Sequence, residues 1–218
     1  MANDWFRNKS WDPLIEQDFL QHLGQAVYND RITALKIQGD IWQANPDPAT
    51  QQAGIRLLET LITAYADEPH EVATVQEILA MHFHNKADFE NAERYLIPVL
   101  QFYKTYKRTG VIRRADFTMA EMIILRMITH RLEEALQLLI NFPLTGGSIS
   151  EEHEQYNYHE QLAYSYYLLD KKVEAAHHAA SALTVAQTIE LDFMIAKPAA
   201  LEGYYQQLPS LDVIAMKA

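Results

Sequence analysis

The 218-residue sequence contains no cysteine. That excludes a disulfide framework, a thiolate metal site and a cysteine nucleophile together. Glycine is scarce, at seven residues. The pair Gly146-Gly147 stands between helical stretches, without the preceding strand and following lysine that a phosphate-cradling loop requires. No apolar run approaches the roughly 20 residues of a membrane span, and the opening MANDWFRNKSW lacks the apolar core of a secretion signal. The expectation is a cytoplasmic chain with no membrane partner. Positive charge is also in short supply, with 18 Lys plus Arg against 29 Asp plus Glu and a net charge of −11. An acidic excess of this size repels nucleic acid and steers in a basic partner.

What is abundant is apolar and aromatic: 49% hydrophobic residues, including seven Met, twelve Tyr, eight Phe and three Trp. With so little glycine, this favours packed helices over turn-rich sheet. The expected organisation is a single helical-repeat domain over 1–218, with 1–11 an N-terminal cap, 12–194 helical pairs and 195–218 a C-terminal capping segment. Trp5, Phe6 and Trp11 suit either a cover over the open edge of the first helix pair or a hook for a partner. Asp12-Pro13 has the form of a helix start, and the first helix is expected to reach about Tyr28, where Asn29-Asp30 interrupts it. A second runs from about Arg31 to the break Asn45-Pro46-Asp47-Pro48, and a third from Ala49 to Ala66. Asp67-Glu68-Pro69 opens a fourth, which pairs with a fifth across Asn85-Lys86-Ala87-Asp88. Pro98 predicts a kink or break near Leu96, and Gly110 a stop. The sixth, about Ala115 to His130, is apolar nearly all round and should be central. A seventh covers Leu132 to Phe142, an eighth begins at Ser150 and reaches Leu169, and a ninth ends near Leu191.

Three hairpins align on small or apolar residues twelve apart: Ala80 with Ala92, Ile123 with Ala135, and Ala163 with Ala175. The first and third also match at Leu79 with Leu162 and at Phe83 with Tyr166. This pattern resembles the tetratricopeptide repeat, over roughly residues 70 to 190. The intervals, 43 residues from Ala92 to Ala135 and 40 from Ala135 to Ala175, exceed that family's unit, and its Trp-Leu-Gly run is absent. Trp5-Phe6-Arg7-Asn8 with Trp11, followed by Leu35-Lys36-Ile37-Gln38, resembles a group of bacterial tetratricopeptide-like proteins of poorly defined role. The resemblance implies an all-α fold, a right-handed superhelical array of about nine helices in antiparallel pairs. It also implies a concave groove lined by the first helix of each pair at i, i+3, i+7 and i+10. Those positions are Thr74, Glu77, Met81 and His84, then Phe117, Ala120, Ile124 and Met127, then Asn157, Glu160, Tyr164 and Tyr167. An apolar and aromatic floor with a few carboxylates suits a peptide or helix. Ile124 and Met127 equally suit an ordinary core.

The chemistry-bearing residues point away from catalysis. Among nine His, the pairs His82/His84, His153/His159 and His177/His178 lack the four-residue spacing of a helical metal pair, so no metal or other cofactor is expected. Glu151, Glu152 and Glu154 fit the positive end of a helix. Lys104, Lys107, Arg108, Arg113 and Arg114, with Tyr103 and Tyr106 interleaved, could contact phosphate, although cations at a helix end have a simpler explanation. The leading functional expectation is a non-catalytic module that binds a basic protein, as an immunity protein binds a toxin. An adaptor or chaperone holding a peptide in the groove comes next, and a nucleic-acid-responsive regulator third.

Overall fold

The structure, a computed structural model, describes residues 5–106, 114–144, 146, 148–189 and 197–216. Among them it is all-helical, with eleven α-helices packed in neighbouring pairs and no strand. Nine are long: α1 (Pro13–Gln25), α2 (Tyr28–Gln43), α3 (Pro48–Ala64), α4 (Pro69–Asn85), α5 (Phe89–Thr105), α6 (Ala115–Leu125), α7 (Leu132–Leu144), α8 (Glu152–Leu168) and α9 (Lys172–Ala186). Two are short, α10 (Glu202–Tyr205) and α11 (Leu211–Ala215). No described helix is long and apolar enough to cross a membrane. The chain divides into two compact units, Met1–His82 and Phe83–Ala218.

In the first unit, proline marks helix starts, at Pro13 and Pro69 as the sequence predicts and also at Pro48, where the sequence predicts only a break before Ala49. Pro13, Pro48 and Pro69 each take the first helical position, where a missing N–H costs nothing. Asp12 accepts from the Leu14 and Ile15 amides at 2.7 and 2.9 Å, and Asp47 from the Thr50 amide at 2.8 Å. The end of α1 differs from expectation. It stops at Gln25, three residues before Tyr28, because Val27 is extended and Arg31 reaches back to cap the freed carbonyls of Ala26 (2.7 Å) and Gly24 (3.1 Å). Asn29 and Asp30 therefore lie in the first turn of α2, where the Asp30 carboxylate meets the helix's positive end. Trp5 packs on Phe19, and Phe19 on Trp42, so the N-terminal aromatics extend the core of α1 and α2. The buried Gln38 fixes this segment by accepting from the Asn8 amide at 2.9 Å and donating to the Asn8 carbonyl at 2.8 Å.

The closest approach in this unit is between α2 and α3. A Cβ on Gly54 would lie 2.2 Å from the Gln43 amide nitrogen and 2.6 Å from the Gly39 carbonyl oxygen. Both neighbours are backbone and cannot turn aside. A Cβ on Gly39 would chiefly meet the Leu58 side chain, at 2.7 Å.

In the second unit, three helices end in the same way. Ala87, Met127 and Asp170 adopt φ of 58°, 49° and 57°, a left-handed conformation that only glycine enters freely. Each turn closes with an amide reaching back five residues: Asp88 to Phe83, Ile128 to Ile123 and Lys171 to Tyr166. This is why α6 ends at Leu125 and not at His130. A 3₁₀ turn, Thr129–Arg131, then precedes α7. Its Arg131 donates to Glu134 at 2.7 and 2.8 Å and also pairs with Glu93, bridging the start of α7 to α5. Every residue of α6 except Glu121 is buried, as its all-round apolar sequence predicts.

Pro98 does not break α5, which runs on to Thr105. The carbonyl four residues earlier belongs to Arg94, an exposed residue, so the proline sits where the helix faces solvent. Leu144 extends α7 by two residues past Phe142, with Pro143 inside its last turn. A capping box joining Glu151 and Glu154 starts α8. Gly110 and Leu191 lie outside the described residues.

The α2–α3 approach predicts an asymmetry between its two glycines. Gly54→Ala is expected to destabilise the first unit by about 3 kcal/mol, near the upper end for overpacking, because backbone must move. Gly39→Ala costs less than half of that, since Leu58 can change rotamer. Urea denaturation of both variants checks the order.

Candidate binding face

Counted back from the turns, the middle hairpin has a register different from the one predicted for it. Ala80 and Ala163 each stand seven residues before the left-handed residue of their own turn. Seven residues before Met127 is Ala120, which is fully buried, and not Ile123. The separation from Ala120 to Ala135 exceeds twelve by the three residues of the 3₁₀ turn. The stripe predicted on α6 therefore shifts by one turn of helix and reads Arg114, Phe117, Glu121 and Ile124. Met127 is not on the helix at all, and Glu121 takes the position held by Tyr164 in α8.

The predicted residues part company accordingly. Glu77 is buried and Met81 exposed, and both belong to the first unit. Phe117 and Ile124 are core, with Phe117 packed edge-on against Phe142 at 4.6 Å. Asn157 and Tyr167 are half-buried on α8. His84, Glu160 and Tyr164 are buried, and they belong to one polar cluster with Glu121.

That cluster is completed by the C-terminal segment. Lys197 forms an ion pair with Glu160, whose side chain is only 6% exposed. The Tyr205 phenol donates a hydrogen bond to Glu121. The Lys197 ammonium lies 4.5 Å from the centre of the Tyr205 ring, a cation–π contact that ties the two anchors together. Tyr156 donates to the other Glu160 oxygen at 3.1 Å. His84 Nε2 approaches Glu121 at 3.6 Å, within ionic reach but too far for a hydrogen bond. Tyr204 packs edge-on against Phe89 at 5.1 Å. Leu201, Leu208, Leu211 and Ile214 are buried, and α11 packs against α9 and α8. The segment thus packs on α9 and α8 and also lies across the carboxylates of α6 and α8.

Electrostatics fix the protonation of the phenols. Burial first, and then the Glu121 and Glu160 carboxylates, hold Tyr205 far above the usual phenol range. Burial and Glu160 do the same for Tyr156 and Tyr164. Protonated, these hydroxyls serve as hydrogen-bond donors. The face can therefore hold a cation through Glu160 and a neutral hydroxyl through Glu121.

A second cluster joins α8 to α9. His159 and His178 meet with Nδ1 atoms 2.9 Å apart, one ring donating and the other accepting, and Tyr166 lies parallel over His178. The pairing is across helices, so spacing within one helix could not show it. No group of three or more His, Asp or Glu among the described residues is arranged to hold a metal ion. Of the basic stretch, Lys104 ends α5 and Arg114 lies over the Phe117 ring at 5.1 Å. Lys107, Arg108 and Arg113 lie outside the described residues.

No family model matches the chain, and neither a curated protein nor a solved structure matches it.

The histidine pair has a pH signature. Burial, helped by His159 and His177, pushes His178 down to about 4 from the ordinary value near 6.5. On acidification the unfolded chain takes up this proton before the folded one. Stability from this site is therefore full above pH 6.5 and is lost as pH falls from there toward about 4. His178→Phe keeps a ring over Tyr166 and removes the titration. Its urea midpoint should fall less steeply than wild type between pH 7 and pH 4.5.

Proposed function

We propose that this chain is a non-catalytic protein-binding module of the tetratricopeptide-like kind, and that its α6–α8 face recognises a basic segment. One observation carries the reading. Glu121 and Glu160, on neighbouring helices of the second unit, hold a tyrosine and a lysine that lie 84 and 37 residues away in sequence. A buried carboxylate is costly to desolvate and is retained where a cation or hydroxyl meets it. Two such carboxylates, flanked by Tyr156, Tyr164 and His84, form a receptor for an ammonium and a phenol.

The net charge of −11 supports the same partner chemistry over longer range, by steering basic proteins toward the chain. An immunity-type inhibitor of a basic toxin would share this chemistry, and so would an adaptor. The recurring left-handed turns support the repeat-like arrangement, with helix pairs stacked in order along the second unit.

The test is affinity capture from the host at moderate salt, comparing wild type with the Glu121→Gln, Glu160→Gln double variant. A basic protein retained near one-to-one by wild type, and at least ten-fold less by the variant, is the expected result. Equal retention by both removes the face from the reading. If wild type retains nothing, the module itself is wrong.

A further inference from the structure

We infer that the segment from Lys197 to Met216 is a built-in occupant of the α6–α8 face, standing where a partner segment with a lysine and a tyrosine eight residues apart would bind. This rests on the binding reading above and names the partner's chemistry and how access to it is controlled.

The contacts are those of a bound peptide. Two polar anchors meet dedicated groups, Lys197 on Glu160 and Tyr205 on Glu121, and a third residue, Tyr204, seats its ring on Phe89. Between and beyond them Leu201, Leu208, Leu211 and Ile214 supply the buried apolar surface. Residues 202, 203, 206 and 207 are exposed, so the segment touches the helices on one side only. Glu160 accepts from Tyr156 as well as Lys197, and the second Glu121 oxygen lies 3.6 Å from His84, so each carboxylate keeps one protein neighbour if the segment leaves. Each carboxylate thus has a protein neighbour besides the anchor that the segment supplies. Charge complementarity selects the replacement: an acidic or purely apolar segment would leave Glu160 buried without a cation.

Covalent attachment gives the resident segment a high effective concentration, so a free partner must outcompete it. Weakening the attached copy should therefore strengthen binding of a separate one, the reverse of what loss of a merely structural contact would do.

The experiment uses the full chain and a fluorescently labelled peptide of sequence KPAALEGYYQQLPSLDVIAM, read by anisotropy. The Lys197→Ala, Tyr205→Phe chain should bind the peptide at least ten-fold more tightly than wild type does. Adding Glu121→Gln and Glu160→Gln to that chain should abolish the gain, and so should replacing the same lysine and tyrosine in the peptide. Circular dichroism establishes that each variant is folded. If the double variant is not, Tyr205→Phe alone serves, with a gain of at least three-fold expected. Equal or absent peptide binding by folded wild type and variant overturns the inference. A wild-type dimer that becomes monomeric in Glu121→Gln, Glu160→Gln also overturns it, in favour of a second copy supplying the segment. Capture of a basic protein that depends on Glu121 and Glu160, together with failure of the peptide, removes this inference and leaves the module reading standing.

Discussion

The second unit depends on a backbone conformation that appears three times. A left-handed residue at the end of α4, α6 and α8 allows the chain to reverse while an amide five residues on satisfies a carbonyl of the last turn. Each reversal fixes the phase of the helix before it, because side chains are counted back from the turn in steps of about 3.6 residues. His84, Ile124 and Tyr167 each stand three residues before their left-handed residue. Glu121 and Tyr164 each stand six before it. The polar face therefore follows from where the turns fall, and not from any one side chain.

Onto that frame the chain places groups that are costly to bury and then pairs them. Glu160 and His84 are buried, and Glu121 is largely so. Their counterparts come mainly from Lys197 and Tyr205, beyond the ninth helix in sequence. Such pairing contributes little net stability compared with an apolar replacement, but losing one partner leaves an expensive orphan. Groups of this kind enforce which segment sits where. The α8–α9 seam uses another solution, in which two imidazoles share a proton under the Tyr166 ring and stay neutral. The 3₁₀ turn adds a third, placing Arg131 against Glu93 and Glu134 between α6 and α7.

Most helices were legible because their signals are local. Asp12-Pro13 is a cap written in adjacent residues, and the apolar sequence of α6 states its burial directly. The end of α1 was not legible, because Arg31, from the following helix, supplies the capping donor. At Pro98 the sequence allows a kink or a break, and the helix runs on without the break, because a proline's local signal does not say what surrounds the Arg94 turn. The site was half legible. His84, Glu160 and Tyr164 follow from the stripe of α4 and α8, where turn and spacing agree. Glu121 was missed because three inserted residues moved the register of α6, and nothing in Met127 announces a left-handed turn. A useful sign was present in Ala120, a small residue that fits the repeat better than Ile123. Lys197 and Tyr205 carry no local mark of their partners, which lie on other helices.

The three turns share a geometry but no side chain: one is alanine, one methionine and one aspartate. Their instructions are carried by main-chain donors and acceptors, which every residue but proline possesses. Substitution at these corners is therefore weakly policed, since the strain of a side chain in this conformation is partly offset by the narrower freedom of the unfolded chain. Drift can rewrite the letters at each corner while the bend survives. Corners built in this way hold their bend in the path of the backbone although no side chain is common to them.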